Sequence, residues 1–159
     1  MFRKLRFVIA GIALIAANQA VSFAVSASMP ESLRPAGSTR YAAVGSSTLA
    51  LTTQTAFSDL ADMTTSITIP AGKHGDVFVL FCGETFSLSV TKVRAIIAGQ
   101  ESNPIQLQDS TSGAQSRCAS FFRFNVPEGS KNVRVQWAGS TATVQSMNQR
   151  SMIVIVNLH

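Results

Sequence analysis

The feature that most restricts this chain is a period of two. Ser66-Ile67-Thr68-Ile69 alternates polar with apolar and stops at Pro70-Ala71-Gly72. Phe86, Leu88 and Val90 alternate with Ser87, Ser89 and Thr91, and Val133, Val135 and Trp137 with Arg134 and Gln136. Because successive strand side chains point to opposite faces, each stretch reads as a strand with one face in a core and one in water. Two runs depart from this: residues 77–82 (VFVLFC) and 152–156 (MIVIV) are apolar on both faces. Such strands are central in a sheet or covered on their outer side. Turn clusters such as Gly99–Pro104 and Pro127–Ser130 separate the segments, and no window beyond residue 27 sustains a helical period. The expectation is an all-β, antiparallel β-sandwich or barrel of about eight strands spanning residues 48–159. A chain of 159 residues that is 46% hydrophobic and 13% charged suits one such packed domain.

The N-terminus is of another kind. Arg3, Lys4 and Arg6 precede an apolar run over residues 7–17, followed by small-residue sites at Ala20 and Val25-Ser26-Ala27. That order predicts a secretory signal peptide over residues 1–27, and so a secreted, periplasmic or extracellular protein. A retained anchor is the rival, since residues 7–27 approach the ~20 needed to cross a bilayer, although Asn18, Gln19, Ser22 and Ser26 interrupt them. Without residues 1–27 the thirteen Lys/Arg become ten against eight Asp/Glu, and the formal charge falls from +5 to +2. No row of basic residues remains to meet phosphates, so nucleic acid is not an expected partner, nor is a membrane after cleavage. Residues 28–47, rich in Pro, Ser, Gly and Ala, read as an extended arm or linker. Leu33, Tyr41 and Val44 could seat it on the sandwich or a neighbouring subunit, and its backbone could join an edge strand.

Several segments together resemble a known group of domains. Val93-Arg94-Ala95 with Gly99-Gln100, residues 122–126 (FRFNV), Pro127-Glu128-Gly129-Ser130, residues 133–137 (VRVQW) and Arg150-Ser151-Met152-Ile153-Val154 resemble the core of bacterial secreted domains. Those domains are similar in strand order to the jelly rolls of the complement C1q and tumour necrosis factor superfamily. The resemblance spans residues 55–158 and implies a jelly roll and a trimeric homo-oligomer, with no chemistry of its own. Lys131-Asn132 stands where those domains tend to carry His.

Export changes the reading of Cys82 and Cys118, the only cysteines. In an oxidising compartment such a pair forms a bridge, whose loop closure contributes about 3–4 kcal/mol, or remains as two buried thiols. Both residues fall on strand faces expected to point into the core. Two cysteines and two distant histidines make a poor metal set, and no metal or other cofactor is expected. His74, between two strands, reads as a solvated turn residue, and no nucleophile elbow is present. The acids Asp59, Asp62, Asp76, Glu84, Glu101, Asp109 and Glu128 fall mostly at turns, and only Glu84 follows directly on an apolar run. These observations favour a non-catalytic secreted module acting in self-assembly, surface structure or the binding of an extracellular partner. The alternative is a carbohydrate-binding or small carbohydrate-active protein. Its ligand-binding candidates are Glu84, Glu101 and Asp109 with the aromatic rings of Tyr41 or Trp137; Trp137 shares a strand face with Val133 and Val135, which favours core packing.

Overall fold

The computed structural model describes residues 39–109 and 113–159, with the side chains of residues 107–109 left out. The expected signal peptide and residues 28–38 of the arm lie outside the described residues. All regular structure among them is strand: β1 Arg40–Ser46, β2 Ala50–Thr52, β3 Ser58–Ser87, β4 Thr91–Ile97, β5 Gln100–Glu101, β6 Leu107–Asp109, β7 Gly113–Gly139 and β8 Gln145–Leu158. Every pairing is antiparallel. The order is β1-β8-β3-β7-β4-β5, with β2 on β8 and β6 on β4.

β3 and β7 have 30 and 27 residues, against a usual strand of about 5–6. They are this long because each serves two layers. Their register jumps from Ile69↔Gly129 to His74↔Pro127, so residues 70–73 stand opposite Glu128 alone. Gly72 and Gly129 take φ of 71° and 104°, a region open to glycine, and the Gly72 N–H donates to the Glu128 carboxylate. Pro70-Ala71-Gly72, expected to end a strand, is instead a corner at which both strands pass from one sheet to the other. The first layer contains β1, β8, residues 74–87 of β3 and 113–127 of β7; the second contains residues 58–69 of β3, 129–139 of β7, and β4 to β6.

One core lies between them. Val77, Val79, Phe81, Phe121, Met152, Val154 and Val156 of the first layer join Leu60, Met63, Ile69, Ile97, Val133, Val135 and Trp137 of the second in a single cluster. The two doubly apolar runs lie on β3 and β8, the inner strands of the order β1-β8-β3-β7. Hydrogen bonds also tie the layers. Gln145, fully buried on β8, accepts from Ser87 and Thr91 Oγ1 at 2.6 Å and donates to Ser89 Oγ at 2.5 Å.

Three expectations need correction. First, the sheet begins before residue 48. Residues 40–46 of the expected arm pair with β8 from Arg40↔Val156 to Ser46↔Arg150, and Ala42 and Val44 pack on the core. Second, the alternation over residues 118–126 sets Cys118, Phe122, Phe124 and Val126 on one inward face, but the structure turns Phe121 inward and leaves Phe124 exposed with Phe122 facing out beside it. Asn125 at φ 56° then shifts the parity so that Val126 is buried. Third, Phe86 and Leu88 are exposed while Ser87 is buried, because Ser87 belongs to the Gln145 network.

Candidate functional site

The two outer faces of the sandwich differ in kind. On the first layer Tyr41, Ile155, Phe78 and Phe122 stand directly opposite one another across β1, β8, β3 and β7. The next row is Ala43, Ile153, Leu80 and Ser120. Phe124 closes the group: its ring lies 5.0 Å from that of Phe122 and meets that of Phe78 edge-on at 6.1 Å, geometries that aromatic pairs prefer. Tyr41, Phe78, Leu80, Phe124, Ile153 and Ile155 are each more than a third exposed. The acids of β3 that face the same way, Asp76 and Glu84, stand at the two ends of the patch, so its middle carries no charge.

Beyond Leu80 this face runs into a groove of about 550 Å³ lined by Gly45, Ser47, Cys82, Glu84, Ser116 and Gln149. Cys82 and Cys118 form the expected disulfide, with Cα atoms 4.0 Å apart at directly paired positions. It does not point into the core as expected: Cys118 is exposed and Cys82 half-buried, because Phe81 and Val79 take the inward positions. Arg150 also borders the groove, yet its side chain is fully buried and turned to the backbone. Nε donates to Ala61 O at 3.1 Å, Nη1 to the carbonyls of Thr48, Met147 and Asn148, and Nη2 pairs with Asp62 at 3.3 Å. Burial pulls this guanidinium below its usual value and the Asp62 carboxylate opposes the shift.

The outer face of the second layer is polar. Asp59, Gln136 and Arg94 stand in one row across β3, β7 and β4. Asp59 Oδ1 accepts from Gln136 Nε2 at 2.6 Å, and Gln136 Oε1 accepts from Arg94 Nε at 2.9 Å. The Arg94 guanidinium lies 4.2 Å over the Phe57 ring and donates to Glu101, while the other Asp59 oxygen pairs with Arg134 at 3.2 Å. Half-buried aromatic and guanidinium planes in contact attract through the ring quadrupole.

The sequence candidates are thus dispersed. Tyr41 belongs to the apolar patch, Glu84 to the disulfide groove and Glu101 to the polar row. Asp109 pairs with Thr91 at an edge of the second layer, its side chain outside the described residues. Trp137 is 2% exposed and packs in the core, which removes it as a platform for a ligand. Glu84 and Glu101 stand on different layers and form no carboxylate pair. The two histidines, distant in sequence, meet: their backbones pair and their rings stack at 6.3 Å. His74 is accordingly part of β3 rather than a turn. His159 Nε2 lies 3.3 Å from Asp76, whose carboxyl is held below the usual range by the Asn125 N–H and, less, by His159. No group of three or more metal-ligating residues occurs among the described residues. Ile153 and Ile155 belong to a run already read as apolar on both faces, whereas the outward Phe122 and Phe124 were missed.

No family model and no curated protein matches the chain. Among solved structures it is similar to a carbohydrate-binding module, CBM36, in complex with calcium and xylotriose. That likeness has 11% identity and a TM-score of 0.37, over 65% of this chain and 97% of the other. The assignment of an all-β sandwich rests on the strand pairing itself.

Proposed function

We propose that the protein is an exported, non-catalytic module that assembles with copies of itself through the apolar outer face of its first layer. The observation that carries this is the uncharged patch around Phe78 and Ile155. With aromatic side chains carrying roughly 150–250 Å² each, its six partly exposed members leave on the order of 500 Å² of apolar surface in water. A patch of this size is in the range of the largest apolar patch on a monomer, which is often functional. It would form the apolar centre of an interface burying about 800 Å² per partner, with charge kept to the rim. A second copy fits because an uncharged apolar face is complementary to itself, and such sheet faces pack at about 10 Å as the inner faces of a sandwich do. The separation of Glu84 from Glu101 supports a non-catalytic role. Export is supported by the Cys82–Cys118 bridge and the leader-like first 27 residues. No helix among the described residues is long and apolar enough to cross a membrane.

Light scattering on residues 28–159 tests the reading. A mass above that of one chain at micromolar concentration is expected, reverting to one chain in the Phe78→Ser/Ile155→Ser double variant, whose exposed side chains leave the core intact. A strict monomer, or an assembly untouched by the double variant, would overturn it.

A further inference from the structure

The polar layer carries a second groove that self-assembly through the opposite face leaves open. It has a volume of about 420 Å³ and lies beside the β4–β5 turn, between Asp59, Thr64, Ala98, Lys131, Asn132 and Arg134. Thr64, Arg134 and Ile96 form the row next to Asp59–Gln136–Arg94, so the groove and the polar row share their residues.

Its free hydrogen-bonding capacity is one-sided. Both oxygens of Asp59 are occupied, one by Gln136 and one by Arg134. The Arg134 Nε–H is buried and has no partner, the only buried side-chain polar atom so left among the described residues. Such a donor is rare, because leaving it unmade costs about 1–3 kcal/mol. Lys131 lines the same groove, and no hydrogen bond or ion pair engages its ammonium within the described residues. Two cations, Lys131 and Arg134, therefore line a space in which the one carboxylate is already spent.

We infer that the groove between Lys131 and Arg134 binds a carboxylate-bearing sugar ring of an acidic polysaccharide. The carboxylate answers the two cations, as charge-assisted hydrogen bonds to guanidinium and ammonium do. A free inorganic anion is too small an occupant: the groove has room for roughly a dozen water molecules, about the bulk of one ring with its acid group. Thr64 and Asn132 offer hydroxyl and amide partners to ring hydroxyls, and Ala98 an apolar flank to the ring's C–H face. Nucleic acid would need a row of unpaired cations, whereas on this face Arg94 is paired with Glu101 and Arg134 with Asp59. The chain Arg134–Asp59–Gln136–Arg94, braced by Phe57 and Glu101, holds the guanidinium in place before a ligand arrives, which lowers the ordering cost of binding.

The test is nitrogen-15 NMR of the mature protein titrated with a galacturonate oligomer, the same oligomer with its carboxyls reduced, and inorganic phosphate. The galacturonate oligomer is expected to move the Arg134 Nε–H signal and the amides of Lys131, Asn132 and Gly99. Lys131→Ala, at a half-buried position, is expected to weaken binding about tenfold while the amide spectrum remains that of the folded parent. The Phe78→Ser/Ile155→Ser variant should bind as the parent does, so failure of assembly and failure of this site are read separately. Absence of shifts, equal binding of the reduced oligomer, an equal response to phosphate alone, or indifference to Lys131→Ala would each overturn the assignment.

Discussion

At the residue scale, Arg150 shows how a buried charge becomes tolerable. Its donors satisfy carbonyls from Ala61, Thr48 and Asn148, chain segments that no ladder pairs at those points, and its charge meets Asp62. Asp62 sits at φ 62°, a conformation that Asp adopts more readily than most residues. Arg150→Met should therefore lose about 3–5 kcal/mol in urea unfolding, because the carbonyls and Asp62 are left behind. Arg150→Lys should recover little, since one ammonium cannot span the same directions. Asp76 makes a prediction in pH. Its native carboxyl lies below the unfolded value of 3.8, so the unfolded chain takes up its proton first. The stabilisation is present above that value and is lost as pH falls through the native one. Melting curves of Asp76→Asn should consequently show a shallower acid slope than the parent, and an identical slope would contradict the carboxylate's bond to Asn125.

At the element scale, the β4–β5 connection is a two-residue turn with Ala98 at φ 54° and Gly99 at φ 79°. Both signs suit the hairpin twist, but a Cβ at the first position is strained. Ala98→Asn should raise stability by about 0.5–1 kcal/mol in denaturant titration. The disulfide joins β3 to β7 at one rung, and replacing both cysteines by serine should cost about 3 kcal/mol by the loop-closure estimate. Elements also show what could be read beforehand. Val133, Val135 and Trp137 were legible as a core face because the alternation there runs unbroken. Cys118 to Val126 was not, since the single outlier Asn125 reverses the parity beyond it and leaves no mark in hydrophobicity. Pro70-Ala71-Gly72 signalled a break in regular structure correctly, but whether a chain turns back or bends onward depends on its partner strand. β1 was legible only as an arm able to join an edge strand and not as a strand in its own right, because RYAAVGS has few large apolar residues and acquires its role from β8. Of the candidate site, the doubly apolar runs pointed to the outer patch. The groove at Lys131 and Arg134 arises from register and could not be seen in the chain.

For the whole molecule, the contrast between an apolar face and a polar one gives the sandwich two sides of different chemical character. The folded unit includes β1. A chain starting at residue 48 should melt below one starting at residue 39 and aggregate, with Met152 and Val154 uncovered beside an open β8 edge. The same pairing imposes an order in time. Among the described strands Arg40–Ser46 leaves the ribosome first, yet its ladder partner, β8, is made after all the others. Until β8 is made the first strand has no described ladder partner, and it waits while the corner strands β3 and β7 pair at 21 positions. Closure of the described sheet thus waits for β8, and a chain stalled short of Met152 would carry an unmatched edge that a chaperone, or another nascent copy, could seize.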